Sequence, residues 1–92
     1  MRSIWHALSK TQRVALWRNN VGYDGEHKVR YGLGVGSPDL VGIVDGRFLG
    51  LEVKTATGRV SSEQRAWHEH ARKHGALIHV VRTVEEALEC LQ

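Results

Sequence analysis

Two acids and a lysine stand out by type and spacing. Asp39 directly follows Pro38, and Glu52 and Lys54 flank Val53. Between these groups lies Asp45-Gly46, a strong signal for a two-residue hairpin, because both central positions of a type I′ turn need positive φ. With that dipeptide as the loop, Val44 pairs with Arg47, Ile43 with Phe48, Gly42 with Leu49, Val41 with Gly50 and Leu40 with Leu51. One step further, Asp39 meets Glu52. Opposed residues share a face, with Cβ atoms about 4.5–5.5 Å apart. Lys54, two residues past Glu52, projects from that same face. Leu49, Leu51 and Val53 take the other face, where they pack as core.

Two carboxylates about 5 Å apart repel by about 3 kcal/mol at an effective dielectric of about 20. A sheet gains no stability from that pairing. A divalent cation between them reverses the sign, and Mg²⁺ prefers one or two carboxylates together with waters and phosphate oxygens. Lys54 can then hold or help deprotonate a water at the cation and offset charge on a phosphate under attack. Glu-x-Lys alone arises often by composition, and Pro-Asp after glycines is usually just a turn. The conjunction carries the reading: Pro-Asp, a hairpin of suitable length, Glu-Val-Lys in register, then a capped helix.

The elements that must position these groups follow from periodicity. From Ser3 to about Arg18 the chain reads as a helix, with Ile4, Leu8, Val14 and Ala15 forming a stripe and Asn19, Asn20 and Gly22 stopping it. His27 to Tyr31 alternates as a short strand. A glycine-rich run, Gly32 to Pro38, leads into two strands, Asp39 to Val44 and Arg47 to Thr55. Ser61-Ser62-Glu63-Gln64 opens a helix with a capping-box pattern, and that helix stops at Gly75. Ala76 to Arg82 is apolar enough for a buried strand. Thr83 to Glu86 offers a second capping box and a last helix through Leu91. The order α-β-β-β-α-β-α joins a strand to a strand through a helix, which implies a mixed sheet.

Ninety-two residues with 41% apolar and 25% charged side chains describe one soluble globular domain, residues 1–92. A core this small makes self-association plausible. The single cysteine, Cys90, excludes an internal disulfide and fits a reducing cytoplasm. No apolar run approaches the roughly 18 residues that span a bilayer, and Met1 to Leu8 lacks the pattern of a secretory signal. The net charge of +3 suits a polyanion partner.

Gly36-Ser37-Pro38-Asp39-Leu40, Leu51-Glu52-Val53-Lys54 and Ser61-Ser62-Glu63-Gln64 with Trp67 together resemble the virus-type replication-repair nuclease (VRR-NUC) domain. That is a branch of the PD-(D/E)xK phosphodiesterase superfamily. Arg18-Asn19-Asn20-Val21-Gly22 is similar to the segment after the first helix in compact members. The resemblance covers nearly the whole chain. It implies an α/β, restriction-endonuclease-like αβββαβ core, with a mixed central sheet flanked by helices, here followed by a C-terminal helix. It also implies a Mg²⁺- or Mn²⁺-dependent DNA endonuclease. Compact stand-alone members are typically phage or bacterial, implying a cytoplasmic homodimer that cuts branched DNA such as four-way junctions. The resemblance makes Asp39 and Glu52 metal-binding carboxylates and Val53 a backbone-carbonyl ligand. Lys54 becomes the catalytic lysine and Gln64 a supporting glutamine, although Gln64 also has a capping-box role. Relatives commonly carry a glutamate on the first helix, whereas Ser3 to Tyr23 holds no acid before Asp24, leaving Gln12 or Glu26 to substitute.

Other readings remain. A general or restriction-type duplex endonuclease could use the same site, though the short chain leaves little room for a base-reading module. A DNA-binding module with a degenerate site is the alternative from another class. Lys10, Arg13, Arg18, Lys28, Arg30, Arg59 and Arg65 are candidate phosphate contacts. His70 and His74 have i, i+4 spacing that can chelate a metal, but no cysteine or carboxylate cluster accompanies them. His27, His68 and His79 read as surface or core histidines, and Trp67 as core packing. Gly32, Gly34 and Gly36 lack the context of a nucleotide-binding loop and read as a flexible approach to the site.

Overall fold

A computed structural model describes residues 1–91. Its elements are α1 (Arg2–Ser9), β1 (Val14–Arg18), β2 (Gly22–Asp24), β3 (Val29–Tyr31), β4 (Leu40–Val44), β5 (Arg47–Val53), α2 (Ser62–Lys73), β6 (Leu77–Val81) and α3 (Val84–Glu89). The main sheet has the strand order β1-β4-β5-β6, and β2 and β3 form a separate ribbon. β1, β4 and β5 are antiparallel neighbours, while β6 joins β5 in parallel after the α2 crossover. The sheet is therefore mixed and flanked by helices, as the αβββαβ pattern requires.

The first strand of that pattern is not the expected one. Residues 14–18 do not continue the first helix but form β1, and the expected strand at His27–Tyr31 is the second arm of the ribbon. Helix α1 closes early because the backbone N–H and the hydroxyl of Thr11 both donate to the Leu8 carbonyl at 3.0 Å. Beyond it, Val14 and Leu16 point into the core while Ala15 and Trp17 point out, a period of two. β4 offers a complete antiparallel ladder to that alternation, from Val14↔Val44 to Arg18↔Leu40. Tertiary pairing thus overrides a helix-compatible stretch, because strand preference depends on what lies beside it.

The hairpin forms in the register its turn predicts, Val44↔Arg47 through Leu40↔Leu51. Asp45 and Gly46 both take positive φ, 50° and 80°. The core lies on the sheet face that carries Val14, Leu16, Leu40, Val44, Leu49 and Leu51, closed by Ile4 and Leu8 of α1 and Ala87 of α3. Each fully buried leucine contributes about 1.5–3 kcal/mol. α2 covers the opposite face over β5 and β6. Its capping box is complete: Ser61 Oγ accepts the Gln64 N–H and Gln64 Oε1 accepts the Ser61 N–H. The second box forms by half. Thr83 Oγ1 accepts the Glu86 N–H, but the Glu86 carboxylate turns to the N–H of Arg82 instead. Among the described residues no helix is long and apolar enough to cross a membrane.

Candidate metal centre

The β4–β5 ladder ends at Leu40↔Leu51, and Asp39 does not extend it as a directly opposed residue. Its backbone carbonyl accepts from Asn19 N–H at 2.9 Å, toward β1. Its side chain turns to β5, where Oδ2 accepts from the Val53 N–H at 2.9 Å. The segment before it is tied down by Asn19. The Asn19 amide nitrogen donates to Ser37 Oγ and the Pro38 carbonyl, and its oxygen accepts the Leu33 N–H. Pro38 itself is seated on Gly50, where any Cβ would lie 2.7 Å from the proline ring. The glycine-rich run is thus anchored at both ends. Gly36, with φ of 91°, packs against the backbone at the start of α2, where a side chain would collide with the Glu63 carbonyl.

Glu52 lies on the α2 side of β5 and is only 1% exposed. Lys54 Nζ stands 4.0 Å from its Oε2. Gln64 Nε2 donates to that same Oε2 at 3.2 Å, so the capping glutamine and the supporting glutamine are one side chain with both jobs. His68 Nε2 lies 3.2 Å from Oε1. Burial pushes the Glu52 carboxyl up to about 8, helped by hydrogen bonding with Asp39 and by the Asp39 charge, while Lys54 opposes the rise. An anionic pair left alone here takes up a proton, because burial and a like charge both penalise the ionised form.

That protonation tests the fit of a divalent cation. Asp39 borders a cavity with Val53 and Lys54, and the buried Glu52 carboxyl is hydrogen-bonded to Asp39. The two positive charges of a cation would replace the proton that burial favours on Glu52. The donors are all oxygens, the set a hard cation such as Mg²⁺ or Mn²⁺ takes. Asp39, Glu52 and the Val53 backbone would hold it.

Three residues at the site escaped the sequence reading. Asn19 read as a helix stop and as part of the Arg18-to-Gly22 segment, not as a tether of the Asp39 loop, because its side-chain partners lie 14 to 19 positions away. His68 read as an ordinary histidine, although its i+4 spacing from Gln64 was available as a signal that both address one point. Arg82 lines the cavity with Asp39 and Lys54 and donates to the Thr55 carbonyl. No short-range pattern marks it.

The expected basic contacts divide. Arg18 borders a cavity shared with Asp39, Asn19 and Tyr31. Arg59 and Arg65 are exposed in the β5–α2 connection and the first turn of α2, and Lys28 and Arg30 sit on the β2–β3 ribbon. Arg13 is committed elsewhere, to Asp45 and the Leu91 carbonyl at the hairpin turn, the far end of β4 from Asp39. Lys10 caps α1 at the end away from Met1, which borders the cavity. Neither Gln12, exposed in the turn after α1, nor Glu26, exposed in the ribbon turn, lines a cavity with Asp39. The residues of α1 that do so are Met1, just before it, and Ile4.

Trp67 is only half-buried. It packs on Phe48 at 6.3 Å between ring centroids and borders an open groove instead of the core. The His70 and His74 rings lie 4.7 Å apart, with His74 Nδ1 paired to the His70 carbonyl. Asp24, Glu26 and His27 cluster in the ribbon turn, where Asp24 Oδ1 accepts the N–H groups of Glu26 and His27.

The model of the VRR-NUC domain family matches residues 2–85. A solved structure described as a VRR_NUC domain aligns with a TM-score of 0.67 and 22% identity, over 96% of this chain and 86% of that chain. At that identity the likeness is one of fold. No curated protein matches the chain. The ordered motifs, the mixed sheet and the family match over nearly the whole length agree: the chain belongs to the VRR-NUC domain family, nucleases of the PD-(D/E)xK type that act on DNA.

Proposed function

We propose that this protein is a Mg²⁺- or Mn²⁺-dependent endonuclease that cuts branched DNA, four-way junctions above all, as a homodimer. The observation that carries the reading is the Glu52 carboxyl, buried beside Asp39 and with Lys54 Nζ at 4.0 Å. Asp39, Glu52 and the Val53 carbonyl hold the cation. When bound, the cation supplies electrostatic stabilisation of charge building on the scissile phosphate. Lys54 orients the attacking water and offsets negative charge at the phosphate. Gln64 supports the site by fixing Glu52 from α2.

Arg18 and Arg82 border cavities that Asp39 also lines, and Arg59 and Arg65 are exposed on the β5–α2 connection and the first turn of α2. Such cations suit a phosphate backbone. The ribbon adds exposed Tyr23 and Tyr31, with Arg30 stacked 5.8 Å over the Tyr23 ring. A projecting arm with aromatic and basic side chains suits DNA whose strands diverge, where bases are open to stacking.

A second copy has a surface to use. On the α2 side of the sheet, β1 and β4 are left uncovered, with Trp17 and Ile43 at 56% and 50% exposure, and Phe48 of β5, which packs on Trp67, borders them at 36%. Those residues share one face by the strand registers. An uncharged apolar face of this kind favours an isologous contact.

The test is cleavage of a four-way junction, a flap, a linear duplex and a single strand, each with Mg²⁺ or Mn²⁺. The junction is expected to be cut fastest, with paired nicks. Equal rates on the linear duplex would replace the structure-selective reading with a general one. Junction binding without nicking in either metal would leave only a binding module.

A further inference from the structure

The Glu52 carboxylate is met from α2 on both of its oxygens. Gln64 Nε2 donates to Oε2 and His68 Nε2 lies against Oε1, each at 3.2 Å. The two side chains are four residues apart on one helix, so they address the same point from the same face. Gln64 has its orientation assigned, because its Oε1 accepts the Ser61 N–H at 2.9 Å and leaves the amide nitrogen for Glu52.

His68 is 2% exposed. A polar ring buried this deeply costs free energy that an apolar side chain would avoid, unless its nitrogen is matched. Its partner is the carboxylate itself. The terminal torsion of a glutamate is broad, so a single hydrogen bond leaves the carboxylate plane free to swing about that bond. With the proton on Nε2, His68 donates to the ionised Glu52 carboxylate as Gln64 does, and two donors from one rigid helix remove that freedom. A carboxylate offers about four lone-pair positions. With one on each oxygen taken from α2, the others are left for the Asp39 and Lys54 side.

We infer that His68 is a positioning residue that, with Gln64, clamps the Glu52 carboxylate in the orientation that receives a divalent cation. The inference rests on the metal-nuclease reading above. Groups that hold a metal ligand in place typically change metal affinity by about 10–100-fold when removed.

The test is calorimetric titration of Mn²⁺ into the DNA-free protein, comparing wild type with His68→Leu, His68→Phe, His68→Gln, Asp39→Asn and Glu52→Gln. Removing the donor in His68→Leu is expected to weaken Mn²⁺ binding by about 10–100-fold, and His68→Gln, which keeps an N–H, to restore most of it. The Mg²⁺ concentration for half-maximal junction cleavage should shift in parallel, while the rate at saturating Mg²⁺ changes much less. If His68→Leu does not fold, as judged by near-ultraviolet circular dichroism, His68→Phe gives the same reading with the ring volume kept. A folded variant lacking the donor that binds Mn²⁺ within about threefold of wild type overturns the clamp. Wild-type affinity in Asp39→Asn and Glu52→Gln would instead overturn the metal reading beneath it.

Discussion

The carboxylate of Asp39 accepts the backbone N–H of Val53 at 2.9 Å, so a side chain completes the β5 edge where the β4 ladder has ended. The same group is thus a candidate metal ligand and a structural acceptor, and substitutions should separate the two roles. Asp39→Asn keeps an acceptor for Val53 and should fold with near wild-type stability. Asp39→Ala leaves that N–H without its partner and should lose about 1–3 kcal/mol in urea unfolding. Both should lose junction cleavage.

Lys54 stands 4.0 Å from Glu52 Oε2 and lies outside the buried apolar cluster. Lys54→Ala should fold normally and bind junction DNA with little change. Single-turnover cleavage in Mg²⁺ should fall by about 10²–10⁴-fold, the range for loss of a group that manages a proton in the reaction. Undiminished cleavage by this variant would end the assigned role.

Glu52 makes stability depend on pH. An unfolded glutamate titrates near 4.5, whereas the folded carboxyl is pushed up to about 8 by burial and then by Asp39. The folded chain therefore holds this proton more tightly. The stabilisation is complete below the unfolded value and is lost as pH rises through the folded one. The metal-free protein should thus melt at a lower temperature near pH 8.5 than near pH 5.5, a contribution on the order of a few kcal/mol. Glu52→Gln should flatten that dependence, and Mn²⁺ should recover stability at the alkaline end. A metal-free melting temperature that rises across this range, equally in wild type and Glu52→Gln, would contradict it.

Gly50 is the seat of Pro38, with a built Cβ falling 2.7 Å from Pro38 Cγ and 2.8 Å from Ile78 Cδ1. Gly→Ala in a strand ordinarily gains about 0.5–1 kcal/mol, but here overpacking should win. Gly50→Ala is expected to lose about 1–3 kcal/mol and to lift Pro38, moving Asp39 with it. Denaturant midpoints and Mn²⁺ affinity should fall together. A gain in stability would show that Pro38 yields freely.

The uncovered β1–β4 face tests the dimer. Ile43 is half exposed, so Ile43→Glu should leave each chain folded while placing two charges against each other in an isologous contact. Light scattering at micromolar concentration should give twice the chain mass for wild type and the single-chain mass for the variant. A single-chain mass for the wild type would remove the homodimer.

Legibility tracked the distance over which each signal acts. Asp45-Gly46 has few backbone options, and the turn sets the strand register around it, so the hairpin and the shared face of Glu52 and Lys54 could be read directly. Ser61 and Gln64 lie within one helical turn, so the box that begins α2 was equally local. The Thr83 box was only half legible, because Glu86 had a second N–H within reach at Arg82. Val14 to Arg18 satisfied a helical stripe and a two-residue alternation at once. Only the presence of β4 alongside decided between them.

By itself, then, the sequence determined the residue types proposed for the site and the local geometry of its main hairpin. Glu52 and Lys54 are brought to one face by backbone rules that need no knowledge of the rest of the chain, and Pro38-Asp39 to the same end of the hairpin. The tertiary structure decided what surrounds them. It took Asp39 out of the ladder and onto the Val53 N–H, bound its loop to Asn19, and set His68 of α2 against the far oxygen of Glu52. The reason is physical. Turns and caps are short-range hydrogen-bond closures, whereas the partner of a buried side chain depends on which elements pack together to exclude water.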